Sequence, residues 1–150
     1  MNSRETNESL SYLIKDELAA AETYRQALET VRGPGADELR RIESEHEEAA
    51  LVLSDRMKGL GGLPPEGGGL WGAWAKTIEG SERFFDERAI LKMLKLGEEQ
   101  GAADYARVLK KRALDESLHE LIKNTLMPKT LLHSAAIERL LRARAGATGG

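Results

Sequence analysis

The sequence predicts an all-α protein, a four-helix bundle of two antiparallel hairpins joined by a long Gly/Pro-rich crossover. Three observations carry this. Apolar residues recur at spacings of three and four along four long runs, and no period-two alternation competes with them. Aromatic residues make up only 5% of the 150 residues, too few for a sandwich or barrel whose strands favour them. The 15 glycines, surprising in a chain rich in helix formers, fall almost wholly between the runs. Gly33 and Gly35 flank Pro34, seven glycines and two prolines lie between Gly59 and Gly72, and the rest of the punctuation is Gly80 and the tail. One domain over 1–145 with a disordered tail at 146–150 is expected.

The first run covers Glu5 to Val31, with Leu10, Leu13, Ile14, Leu18, Ala21, Tyr24 and Leu28 on one stripe. Ser9 or Asn7 is expected to cap it. The second run, Asp37 to Leu60, carries Leu39, Ile42, Ala49, Leu53 and Met57, with an acidic first turn at Asp37. The third, Asp86 to Arg112, carries Ile90, Leu91, Leu94, Tyr105 and Val108. The fourth, Glu116 to Arg144, carries Leu118, Leu121, Ile122, Leu126, Ile137 and Leu140, with Asp115 as N-cap. Pro128 is expected to kink it, because proline removes a backbone donor and crowds the preceding turn.

Connection lengths set the topology. Short links of about five residues make hairpins of the first two and the last two helices. The middle link of about 26 residues can travel the roughly 36 Å of a 24-residue helix and start the third helix where the second began. Within that link, Trp71 to Gly80 reads as a short helix laying Trp71 and Trp74 on the bundle.

Composition narrows the chemistry. Twenty-two Lys and Arg against 25 Asp and Glu give a net charge of −3, which suggests neither a nucleic-acid groove nor a polybasic membrane patch. No stretch approaches a membrane span or signal-peptide core, so a cytoplasmic protein without membrane partners is expected. The absence of cysteine excludes disulfides and thiolate-ligated metals. Carboxylates and the three histidines are the remaining metal donors.

The informative residues break the apolar stripes from within. Glu17 lies between Ile14 and Ala21 at core phase, and Glu98 lies likewise between Leu94 and Ala102. Each is followed two turns later on the same face by a tyrosine, Tyr24 or Tyr105, whose hydroxyl is expected to reach those glutamates. The second helix adds Glu43-Ser-Glu-His46, the Glu-x-x-His spacing that presents a carboxylate and an imidazole to one metal. The fourth helix places His133 on its stripe, with Thr130 at the carboxylate position. Glu116-Ser-Leu-His119 has the same spacing but lies too near the hairpin turn to join the others. Glu45, Glu47, Glu48 and Glu99 read as solvated faces. Gly97 and Gly101 bracket Glu98, where missing side chains are expected to let a neighbouring segment come close. Three carboxylates and two imidazoles in one core layer would repel unless they shared cations or protons. A di-metal centre on Glu17, Glu43, His46, Glu98 and His133, with bridging carboxylates holding two cations and the histidines completing their coordination, resolves this.

On these motifs, from about Leu10 to Leu141, the chain resembles the ferritin-like superfamily. DELAAAETYRQALE, LGGLPPEGGGLWGAW and GEEQGAADYARVL resemble more closely a bacterial group catalogued as domain of unknown function 2383. In rubrerythrins and bacterioferritins the corresponding glutamates and two Glu-x-x-His motifs bind two irons. The resemblance therefore implies an iron cofactor, in a di-iron or single-metal site, and a non-haem oxidoreductase or iron-handling role in which reduced iron meets oxygen or peroxide. Thr130 departs from that pattern and leaves three Glu and two His. The alternative is a metal-free helical scaffold or stress-related interaction module that keeps a relict polar layer. Either form is expected to admit a homodimer or higher homo-oligomer.

Overall fold

The structure, a computed structural model, describes residues 3–66 and 86–148. Among them every regular element is helical. Helix α1 spans Ser3–Ala27, α2 Pro34–Gly59 and α3 Glu87–Leu109. The fourth rod comprises α4 (Glu116–Leu121), a π-helical turn (Ile122–Leu126) and α5 (Met127–Thr148). The expected short helix at Trp71–Gly80, with its two tryptophans, lies outside the described residues. No described helix is long and apolar enough to cross a membrane.

The boundaries follow local chemistry. Asp86 caps α3 by accepting from the Ala89 amide at 2.8 Å, and Asp115 caps α4 by accepting from Leu118 at 3.1 Å. Two expectations are corrected. Helix α1 starts at Ser3, so Asn7 and Ser9 sit inside it and do not cap it. They make tertiary bonds instead: Asn7 donates to the Leu60 carbonyl at 3.4 Å, and Ser9 accepts from Lys111 at 2.8 Å. Pro34 does not separate two helices but opens α2, where a residue without an N–H costs no helical bond. Gly33, with φ of 79°, supplies the left-handed turn before it.

Helix α2 closes in a Schellman motif. Gly62 N–H bonds Met57 O at 2.9 Å and Gly61 N–H bonds Lys58 O at 3.0 Å, with Gly61 at φ 79°. In the fourth rod, Met127 N–H reaches back five residues to Ile122 O, directly before Pro128. The wide π turn takes up the distortion that was expected of the proline.

Helix α1 packs chiefly on α2, and α3 chiefly on α5. Along the first pair Asn7 meets Leu60, Glu17 meets His46 and Arg25 meets Glu47. Along the second, Lys95 pairs with Glu138 and Glu87 with Arg144. Glu87, the first residue of α3, also accepts from the Arg32 amide at 2.9 Å, close to the start of α2.

Two apolar clusters hold the bundle. One unites Leu10, Leu13, Ile14, Leu53, Tyr105, Val108, Leu118 and Ile122. The other unites Tyr24, Val31, Leu39, Ile42, Ile90, Leu91, Leu94 and Ile137. Each long helix contributes to both, and on each the residue between its two contributions is polar: Glu17, His46, Glu98, and Thr130 with His133. The bundle therefore carries a buried polar layer between two apolar ends.

A candidate metal centre in the polar layer

Glu17, His46, Glu98 and His133 are 6%, 4%, 1% and 2% exposed. Such residues stay buried only when paired, so their partners are what matters. His46 lies between two carboxylates. Its Nδ1–H donates to Glu17 Oε2 at 2.7 Å, and its Nε2–H donates to Glu98 Oε1 at 2.6 Å. Burial pushes the His46 imidazole down, but the charges of Glu98 and Glu17 and their hydrogen bonds prevail and hold it well above 6.5. Burial likewise pushes Glu98 up, yet the charged His46 ring and the His133 contact prevail and bring its carboxyl down to about 2.

The tyrosines reach the glutamates crosswise. Tyr24 of α1 donates to Glu98 of α3 at 2.8 Å, and Tyr105 of α3 donates to Glu17 of α1 at 2.7 Å. Burial, then the carboxylate facing each hydroxyl, raises both phenols well above 10 and keeps them neutral donors.

His133 is built differently. Its Nε2–H donates to Glu45 Oε1 at 2.7 Å. Nδ1 lies 3.4 Å from Glu98 Oε2 without hydrogen-bond geometry, and both atoms are buried with no hydrogen-bond partner among the described residues. The Nε2–H faces Glu45, so Nδ1 is the ring atom turned toward Glu98: in the neutral ring it offers a lone pair that a cation between the two atoms would use. The His46 and His133 rings are 4.7 Å apart. One donor atom each of His46, Glu98 and His133 falls within a 4.8 Å span. Ligands sharing an ion at about 2.0–2.2 Å lie up to about 4.3 Å apart, so a small contraction would suffice. Each imidazole is backed at its other nitrogen by a carboxylate, Glu17 behind His46 and Glu45 behind His133, the usual way a metal-binding histidine is oriented.

The expected site residues therefore divide. His46, Glu98 and His133 converge, and Glu17 stands one imidazole away. Glu43 does not join them: it is half-buried on the α1 side of α2, 3.4 Å from Arg25, and burial raises its carboxyl. Glu45, expected to be solvated, is the correction, since it touches His133. His119, in α4, is not part of the cluster among the described residues. Thr130 turns its hydroxyl back to Leu126 O at 3.1 Å. The sequence reading also missed Asp16 and Asp104. Burial, then a hydrogen bond with Asp104, raises the Asp16 carboxyl to about 8. Asp104 is buried and pairs with Arg107 at 2.9 Å. The signal was their adjacency to Glu17 and Tyr105. An open surface cleft of about 450 Å³ beside Arg88, Lys92, Lys95 and Arg142 contains none of these residues. A single ion needs no cleft.

The model of the family described as Domain of unknown function (DUF2383) matches residues 5–111, and the chain belongs to that family. The match covers Glu17, His46 and Glu98 and stops before His133. No curated protein and no solved structure matches the sequence.

Proposed function

We propose that this DUF2383 protein is a ferritin-like bundle that holds one divalent transition-metal ion, iron in our reading, through His46 Nε2, Glu98 and His133 Nδ1, the ion displacing the proton that His46 Nε2 otherwise donates to Glu98. The observation that carries the proposal is the pair of buried, partnerless atoms, Glu98 Oε2 and His133 Nδ1, facing each other beside His46. Two histidines and one carboxylate with positions left open suit iron(II). When bound, such an ion supplies one-electron chemistry toward oxygen or peroxide. The protein's part is orientation and exclusion of water. Glu17 and Glu45 hold the two rings, Tyr24 holds the second oxygen of Glu98, and the apolar clusters seal the layer above and below.

The ferritin-like reading is supported by contacts that run in opposite directions along α1–α2 and α3–α5, and by the approach of the start of α3 to the start of α2. These fit two hairpins with a long crossover. Thr130 in place of a carboxylate, and Glu43 turned toward Arg25, favour one ion over two.

The test is metal analysis of protein purified anaerobically with iron(II). About one iron per chain is expected, lost in Glu98→Ala and His133→Ala and kept in Glu43→Ala. The metal-free scaffold draws support from Glu17 and His46, whose partners are all protein groups. It predicts no bound iron and little change on replacing the glutamates by glutamine.

A further inference from the structure

Resting on the metal-centre reading, we propose that Glu45 is the port through which a cation reaches the buried layer and that Arg41 is its latch. Among the described residues the layer is closed almost everywhere. Side chains of Glu17, His46, Glu98 and His133 are 7%, 5%, 1% and 3% exposed, and Tyr24 and Tyr105 are buried. Among the described groups bonded to the histidines, Glu45 alone reaches solvent substantially, with its side chain 25% exposed. A hydrated dication must shed water in stages, and a partly exposed carboxylate bonded to Nε2 of a buried imidazole is a suitable intermediate station, from which the ion passes the edge of the His133 ring to its Nδ1 face.

Glu45 divides its oxygens between inside and outside. Oε1 accepts from His133 Nε2 at 2.7 Å, and Oε2 accepts from Arg41 Nη1 at 2.7 Å. Arg41 is independently anchored, since its Nη2 donates to Glu38 Oε1 at 2.6 Å and its Nε to Glu38 Oε2 at 3.3 Å. Releasing Glu45 therefore breaks one half-exposed ion pair and leaves the guanidinium held by Glu38. Exposed pairs of this kind are weak, so the release is easy. Until it happens, the Arg41 charge lies on the outer face of Glu45 and repels an arriving cation. The latch thus acts on the rate of loading, not on the ligands that hold the ion.

The experiment follows cobalt(II) uptake by the full chain in a stopped-flow spectrometer, through the visible absorption of bound cobalt(II), with the endpoint measured separately. Glu45→Gln keeps an oxygen for His133 but loses the charge, and is expected to load about tenfold more slowly to the same endpoint. Arg41→Met is expected to load several-fold faster. Arg40→Met, whose partner is Asp37, is expected to load at the wild-type rate. Opposite changes at two neighbouring positions exclude general damage to the fold. Wild-type rates in both Glu45→Gln and Arg41→Met, with cobalt(II) still bound, overturn the port and leave the metal centre standing. So does an unchanged uptake rate in Glu45→Gln with faster release, which would leave Glu45 only orienting His133. Failure of the wild-type protein to take up cobalt(II) overturns both.

Discussion

The two helix pairs are built from the same parts and finished differently. Helices α1 and α2 supply Glu17, Tyr24 and His46; α3 and α5 supply Glu98, Tyr105 and His133. The tyrosines cross between the pairs, so each glutamate is held by the other half. Yet both nitrogens of His46 find carboxylates, while His133 finds one and leaves the other beside a partnerless oxygen of Glu98. Three residues before His133, Thr130 bonds its own helix and brings nothing to the layer. A buried network can close upon itself with these residue types, as the His46 side does. The gap on the His133 side is where we propose that the ion sits.

Glu98 belongs to both sides, so removing it has the largest expected effect. Glu98→Ala strands His46 Nε2 and the Tyr24 hydroxyl in the core. It is expected to cost the metal-free protein about 3–5 kcal/mol in urea unfolding and to abolish metal binding. His133→Ala breaks only the open side. It is expected to abolish metal binding at a stability cost of about 1–2 kcal/mol, since one ring nitrogen had no partner to lose. Equal destabilisation by the two variants would erase the distinction between the closed and open sides.

The pH dependence of the metal-free protein sharpens the same contrast. His46 has a raised folded-state pKa, so its contribution is full below 6.5 and is lost as pH climbs from there through the raised value. Glu98 is depressed, so its contribution is full above 4.5 and is lost as pH falls toward about 2. Asp16, raised from 3.8 to about 8, loses stability across that interval as pH rises. Urea midpoints should peak in weak acid and decline through neutrality. Asp16→Asn should remove its part of the decline and stabilise the protein at pH 8 by about 1 kcal/mol, after discounting for solvent screening. A shallower decline above 6.5 should remain in that variant, because His46 contributes to it independently.

The smallest expected change lies on α3 beside the layer. A Cβ built at Gly101 meets Thr130 Cγ2 at 3.7 Å, an ordinary contact, so the missing side chain is not needed for the approach of α5. Gly101→Ala should raise the thermal midpoint, by about 0.5–1 kcal/mol in stability, through the lower entropy of the unfolded chain. Metal binding should be unchanged.

The helices and the layer were legible because ionisable residues at core phase stand out against an apolar stripe. This revealed Glu17, His46, Glu98 and His133 together. The flanks of the stripe were not legible. Glu43 and Glu45 lie on opposite sides of His46, about 60° and 100° around the helix. Only the placement of α1 and α5 decides which glutamate meets Arg25 and which meets His133. The Asp16–Asp104 pair depends on the same interhelical register. Pro34 misled because a proline between two runs marks a break and a first helical turn equally well. The π turn before Pro128 carries no periodic signal in five residues.

The central claim, one ion on His46, Glu98 and His133, is tested most directly by anomalous diffraction at the iron edge from crystals grown anaerobically with iron(II). One peak per chain is predicted, within about 2.0–2.2 Å of His46 Nε2, a Glu98 oxygen and His133 Nδ1. Two peaks bridged by Glu43, a peak away from these residues, or none would contradict it.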